Sequence, residues 1–248
     1  MKNASEMEVL VMALKHRPDR YWYMLGVLDA MNFPFDKCHT VMGKYWRDYE
    51  SLGGMLDAMI EDRFPWADRL RHKIDDDVER GFRANLWSAC RCLRWVATQD
   101  HPFLVMEDDL LLGVDYPDLI NRLKTLPKDA EIAVLGRSPE GFEVYNDYWG
   151  EGWGVSSGGI CNVYTPSGAQ RALEVAEWYG VTWENIGKYY PNETTYCVNG
   201  EPLFSYDGTL DPLTSLSTDG WYRVKTEFKG YGHHSLYDKW VDGLNVEQ

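Results

Sequence analysis

The sequence predicts an α/β fold, a sheet flanked by helices in a single domain, on three observations. Apolar runs of strand length alternate with segments of helical period, as in a sheet wound with helices. The 248 residues are enough for one sizeable core without covalent staples. No repeat, low-complexity tract or linker divides the chain.

The elements follow in order. Val9–Leu14 is a continuous apolar run of strand length, and Pro18, just after it, suits the first turn of a helix. That helix would bury Met24, Leu25, Leu28 and Met31. Cys38–Met42 reads as a second strand ending at Gly43, and Leu52, Met55, Leu56, Met59 and Ile60 repeat the helical period. From Arg80 to Ala97 the pattern is sharply amphipathic. Phe82, Leu86, Ala89, Leu93 and Val96 fall on one side, and Arg80, Arg83, Trp87, Arg91 and Arg94 within an arc of about 80° on the other. Phe103–Met106 is a buried strand, and a helix burying Leu119, Ile120 and Leu123 leads to a strand over Glu131–Leu135. After Gly136 the composition turns to Gly, Tyr and Trp, which reads as loop up to a strand over Ile160–Tyr164 and a helix opened by Pro166 and Ser167. Thr194–Val198 and Leu203–Tyr206 are further short strands. Residues 1–136 form a first half and residues 137–248 an acceptor half with a tail.

Composition restricts the function. A net charge of −14 would repel a phosphate backbone unless basic residues gather on one face, and the arginine stripe is the concentrated basic feature. The stripe reads either as a polyanion contact or as a face pairing with nearby acids such as Asp75–Asp77. Five scattered cysteines, odd in number and without CxxC spacing, fit reduced thiols in a cytoplasm-like compartment. The apolar stretch near the N-terminus is too short and too soon interrupted by charge for a signal peptide or membrane anchor. Eleven Trp and sixteen Tyr suit both core packing and flat ligand surfaces such as sugar rings.

Glu107, Asp108 and Asp109 follow the apolar strand directly. Adjacent carboxylates in a partly dry cleft cannot all stay ionised unless a cation neutralises them. Residues two apart on an extended chain face the same way, so Glu107 and Asp109 are expected to hold one ion while Asp108 reaches another group. Oxygen-only ligands suit Mg²⁺ or Mn²⁺, with open positions for diphosphate oxygens. The carboxyl end of a central strand is also where ligands bind in open α/β sheets.

Four stretches in order, "VLVMALKHRPDRY", "TVMG", "FLVMEDDLLL" and "VYTPSGAQRAL", span residues 9–174, with "YCVNGEPLFSYD" a weaker continuation. In sequence and spacing they resemble the glycosyltransferases of family 25, which contains lipooligosaccharide and collagen galactosyltransferases. The resemblance implies a GT-A fold, a Rossmann-like mixed sheet flanked by helices, that transfers a sugar from a nucleotide-diphosphate donor to an acceptor hydroxyl. It places Lys15, Arg17 and Arg20 at the donor's diphosphate, which a positive turn at a helix N-terminus suits. By analogy with many GT-A enzymes, His233 or His234 would complete the metal site and Lys239 would touch phosphate. It also puts an acid after the Pro-x-Gly-Ala helix, where Glu184 is the first choice as base, with Asp207 and then Asp147 in reserve. Trp149, Trp153 and Trp183 are candidates to stack an acceptor ring. One departure stands out: the family's Gly-x-x-x-Ser-His stretch is here "GFRANLWSACRCL", with Asn85 and Ser88 as counterparts and no His.

The acceptor implied by the resemblance is a bacterial glycan. The arginine stripe raises hydroxymethylated DNA, in a phage-infected host, as a second acceptor class. Two other readings of the chain are a binding module for sugar nucleotides or glycans without turnover and a metal-dependent phosphoesterase, the latter lacking the additional acid and His motifs usual in two-metal sites.

Overall fold

The opening strand lies between its two successors. In the computed structural model, which describes residues 1–15, 17–135, 143–152, 161–180, 183–199 and 203–206, β1 (Glu8–Ala13) pairs in parallel with β2 (Cys38–Met42) on one side and β3 (Phe103–Glu107) on the other. The side chains of Pro18, Asp19, Trp22, Leu111, Trp183, Glu184, Asn185, Phe204, Ser205 and Tyr206 lie outside that description. With β4 (Leu110–Leu112), β5 (Ile132–Val134), β6 (Glu143–Val144), β7 (Trp149–Glu151), β8 (Cys161–Tyr164), β9 (Thr195–Val198) and β10 (Phe204–Tyr206), the strands form an eight-stranded sheet ordered β2-β1-β3-β8-β5-β9-β7-β6 and a small β4–β10 pair. β8 runs antiparallel to both β3 and β5, so the sheet is mixed. This is the expected α/β class, with helices on both faces.

The strands bury alternate residues on opposite faces, as the two-residue period of a pleated strand requires. Val9, Val11, Leu104 and Met106 pack with α1 (Pro18–Ala30) and α4 (Tyr116–Lys124), while Leu10, Met12, Phe103 and Val105 pack with α2 (Leu52–Glu61), α3 (Asp77–Val96) and α5 (Pro166–Tyr179). Side-chain caps fix four of the helix starts. Ser51, Asp76, Asp115 and Thr165 accept from the backbone N–H of Gly54, Glu79, Asp118 and Gly168, satisfying donors that the first turn leaves open. α5 ends on Gly180 at φ 55°, a left-handed conformation that glycine adopts without a Cβ penalty.

α3 departs from the amphipathic expectation. Phe82 on the apolar side is 37% exposed, while Arg83 and Trp87 on the basic side are 3% and 1% exposed. The helix packs on the sheet and is flanked by α2, α5 and the turns around them, so residues off its apolar side also meet protein. The stripe's arginines are committed to that packing. Asp62 accepts from Trp87 Nε1 at 2.6 Å and Arg94 Nη2 at 2.9 Å and lies 3.5 Å from Arg91 Nε. Arg91 also donates to the Met42 carbonyl, Arg83 to Glu79 and the Gly180 carbonyl, and Arg80 to Asp77, with Asp75 at 3.4 Å. The pairing of the two readings is therefore the one observed, and the stripe offers no row of open cations to a duplex.

The Tyr/Trp-rich segment expected to be loop contains β6 and β7, because β7 pairs with β9 at the sheet's edge. Trp149, offered above as an acceptor-stacking ring, is fully buried in β7 and donates its indole N–H to the Arg122 carbonyl at 2.9 Å. All five cysteines are free and buried, and burial pushes the Cys38 and Cys90 thiols up to about 12. Among the described residues, no helix is long and apolar enough to cross a membrane.

Candidate active site: a cleft at the carboxyl ends of β1, β2 and β3

β1 leads on to β2 at one side, and the chain later returns as β3 on the other, so the order reverses between β1 and β3. At such a switch point the connections leave in opposite directions and open a crevice beyond the strands' carboxyl ends. A cleft of about 200 Å³ lies there, lined by Met12–Leu14 after β1, Gly43–Trp46 after β2, Glu107–Asp109 after β3, Arg20 of α1, and Gly81, Ala84, Asn85 and Ser88 of α3.

The three acids are held differently. Asp108 and Asp109 are 4% and 5% exposed, and the Arg20 guanidinium, 7% exposed, sits against both. Its Nη1 lies 2.9 Å from Asp109 Oδ2 and 3.5 Å from Asp108 Oδ1. Asp108 also accepts, at 3.4 Å, from the backbone N–H of Leu14. Glu107 is only half-buried and accepts from Asn85 Nδ2 at 3.0 Å. Ser88 Oγ accepts from the Lys44 backbone N–H at 2.7 Å, tying the segment after β2 to α3. Asn85 and Ser88, the counterparts of the resembled Ser-His stretch, are thus both in the cleft wall.

Burial pushes the Asp108 carboxyl up to about 7, with Asp109 adding to the rise and Arg20, the Leu14 N–H and Arg17 opposing it. The folded protein therefore binds a proton here that the unfolded chain, with an ordinary carboxyl near 3.8, releases. Stability from this group is lost as pH rises from about 4 through about 7. Asp108→Asn is expected to flatten the pH dependence of the melting temperature across that window, which calorimetry at a series of pH values checks.

The other sequence-derived candidates are placed as follows. Arg20 is in the cleft, but its Nη1 serves Asp108 and Asp109. Arg17 precedes α1 and is partly buried, and Lys15 is exposed. Glu184 and Trp183 lie in a 3-10 turn, Trp183–Tyr189, with side chains outside the description, and Asp147 is exposed. Trp153, Asp207, His233, His234 and Lys239 lie outside the described residues. The sequence reading passed over Lys44, whose local signal was only its position after a strand-ending Gly43.

Toward a divalent cation, Glu107 and Asp109 offer hard oxygen donors in the cleft wall, the donor chemistry of Mg²⁺ or Mn²⁺. Among the described residues, no group of three or more His, Cys, Asp or Glu is arranged to hold a metal ion, so any such ion would take further ligands from elsewhere.

No protein-family model matches the chain, and no curated protein matches it. Among solved structures, the chain is similar to the crystal structure of mannose-1-phosphate geranyltransferase from Thermus thermophilus. The likeness has 15% sequence identity and a TM-score of 0.35, over 80% of this chain and 75% of that one. At that degree of likeness nothing about substrate or chemistry transfers, and function rests on the cleft's own residues.

Proposed function

We propose that the protein is a glycosyltransferase of the GT-A type that moves a sugar from a nucleotide-diphosphate donor to an acceptor hydroxyl, a glycan in the first instance. The observation that carries the reading is the convergence of Glu107, Asp108 and Asp109 in one cleft at the sheet's switch point. Support also comes from the ordered resemblance to family 25 over residues 9–174.

In this reading Glu107 and Asp109 are the protein ligands of Mn²⁺ or Mg²⁺, joined by His233 or His234. When bound, the ion neutralises charge on the departing nucleotide. Arg20 braces Asp108 and, more closely, Asp109, Asp108 with the Leu14 N–H orients the acidic segment, and Asn85 fixes the Glu107 carboxylate. Arg17, Lys15 and Lys239 complement the donor's negative charge. Glu184, with Asp207 as its alternate, takes the acceptor's proton in an inverting transfer, and Trp153 and Trp183 flank the acceptor.

The test is donor hydrolysis and transfer across a panel of nucleotide sugars with and without Mn²⁺. Glu107→Gln and Asp109→Asn are expected to lower turnover by about 100-fold or more, the scale of losing one electrostatic stabiliser of the transition state. Wild-type protein that binds nucleotide sugars but turns over none would make it a binding module instead.

A further inference from the structure

Lys44 is a cleft residue that forms no ion pair among the described residues. Arg80, Arg83, Arg91 and Arg94 all have acidic partners, and Arg20 has two. Among the described residues, no carboxylate forms an ion pair with Lys44 and no acceptor bonds its ammonium. Yet the side chain is half-buried and lines the cleft beside the Glu107–Asp109 segment. Its Nζ sits over the buried Trp87 ring at 4.5 Å from the centroid. The ring face attracts the cation but accepts no ordinary hydrogen bond, so this contact does not use up the ammonium's donors.

The position is fixed by its backbone. Gly43 N–H donates to the Ala13 carbonyl at 2.7 Å and Lys44 N–H to Ser88 Oγ at 2.7 Å, joining β1, β2 and α3 at this point. A Cβ at Gly43 would meet Leu14 Cδ2 and Ser88 Oγ at 3.2 Å, so the chain passes here close against its neighbours. A cation brought into a cleft by so constrained a backbone, with Asp62 and Asp48 acting on it only from beyond ion-pair distance, is matched by an anionic ligand. Burial and the neighbouring Arg91 lower its pKa, which an arriving oxyanion would reverse.

We infer that Lys44 is an oxyanion-binding residue of the cleft and that its ligand is the donor's diphosphate. This rests on the transferase reading for the ligand's identity, but not for its charge. The experiment titrates the full-length chain with inorganic pyrophosphate, a set of nucleoside diphosphates and the matching nucleosides, with and without Mn²⁺, by calorimetry. Lys44→Met keeps the stem on Trp87, and its melting temperature is expected to equal or exceed that of the wild type. It is expected to lose about tenfold or more in affinity for pyrophosphate and nucleoside diphosphates. Nucleosides should be bound as before, and Lys44→Arg should retain most of the affinity. If Lys44→Met does not fold, Lys44→Gln carries the same comparison. Pyrophosphate binding by the variant within twofold of wild type overturns the inference and leaves the transferase reading standing. Wild-type protein that binds neither pyrophosphate nor any nucleoside diphosphate overturns both. Loss of pyrophosphate binding in the variant, with no nucleotide sugar turned over by the wild type, upholds Lys44 and removes the transferase.

Discussion

Replacing Arg20 with alanine is expected to destabilise the protein by about 3 kcal/mol at pH 8, the scale of breaking a buried ion pair by removing one partner. Asp108 and Asp109 are both nearly inaccessible to solvent, and Arg20 contacts both, with Arg17 also acting on Asp108. Without it, two adjacent carboxylates would face each other in a medium that hydrates neither. Their remedy is protonation, so the loss should shrink as pH falls toward 5, because proton uptake removes the charge that Arg20 neutralised. Chemical denaturation of wild type and Arg20→Ala at both pH values measures the two numbers. Equal losses at the two would mean that the arginine acts by packing and not by charge. Arg20→Lys should recover only part of the stability, since one guanidinium nitrogen already contacts both acids at 2.9 and 3.5 Å and an ammonium on a shorter reach cannot keep both.

Gly168→Ala should have an effect of similar size for an unrelated reason. On helix propensity alone, alanine is favoured over glycine in a helix by about 1 kcal/mol. Here the sign reverses. A methyl carbon at Gly168 would overlap the Glu131 carbonyl oxygen, and would lie 2.8 Å from its carbon and 3.1 Å from Ile132 Cγ1. These are mostly backbone atoms at the start of β5, and they cannot swing aside as a side chain could. The same carbonyl accepts from the Thr165 N–H at 2.9 Å, and Thr165 caps α5, so the helix start and the strand are pinned together. Overpacking against backbone at such a junction is expected to cost about 3 kcal/mol, read as a fall in the urea midpoint at unchanged slope. The glycine of the resembled Pro-x-Gly-Ala stretch thus has a packing duty that owes nothing to a ligand.

Much of the fold could be read from the chain before its shape was known. β1 and β3 carry continuous apolar runs, and burial on both faces is the physical state that such runs describe, while the shorter β2 mixes His39 and Thr40 with apolar residues. The strands over 143–151 escaped because they are two and three residues long and Gly150, Glu143, Glu151 and the intervening Asn146 and Asp147 disfavour strand, and pairing with β9 supplies what the sequence lacks. α3 was placed well but its environment was misjudged, since a 3.6-residue period reveals which side is apolar and not whether a second layer covers the other. In the site, the acids announced themselves by their clash with the preceding apolar run. The partnership of Arg20 with Asp108 and Asp109, and the absence of an ion pair for Lys44 among the described residues, are properties of residues far apart in sequence, and no local pattern encodes them.

The reversed direction of β8 has a bearing on how this molecule could diversify. Because Cys161 at the head of β8 stands beside Met106 near the tail of β3, and Asn162 pairs with Val134 at the tail of β5, β8 begins at the border that carries the acidic segment and runs away from it. Substitutions at Cys161 and Asn162 therefore fall at the cleft's end of the sheet, and those at Val163 and Tyr164 toward the other end. Variation that reshapes the site would thus reach it through the first half of this strand, while the second half answers only to packing.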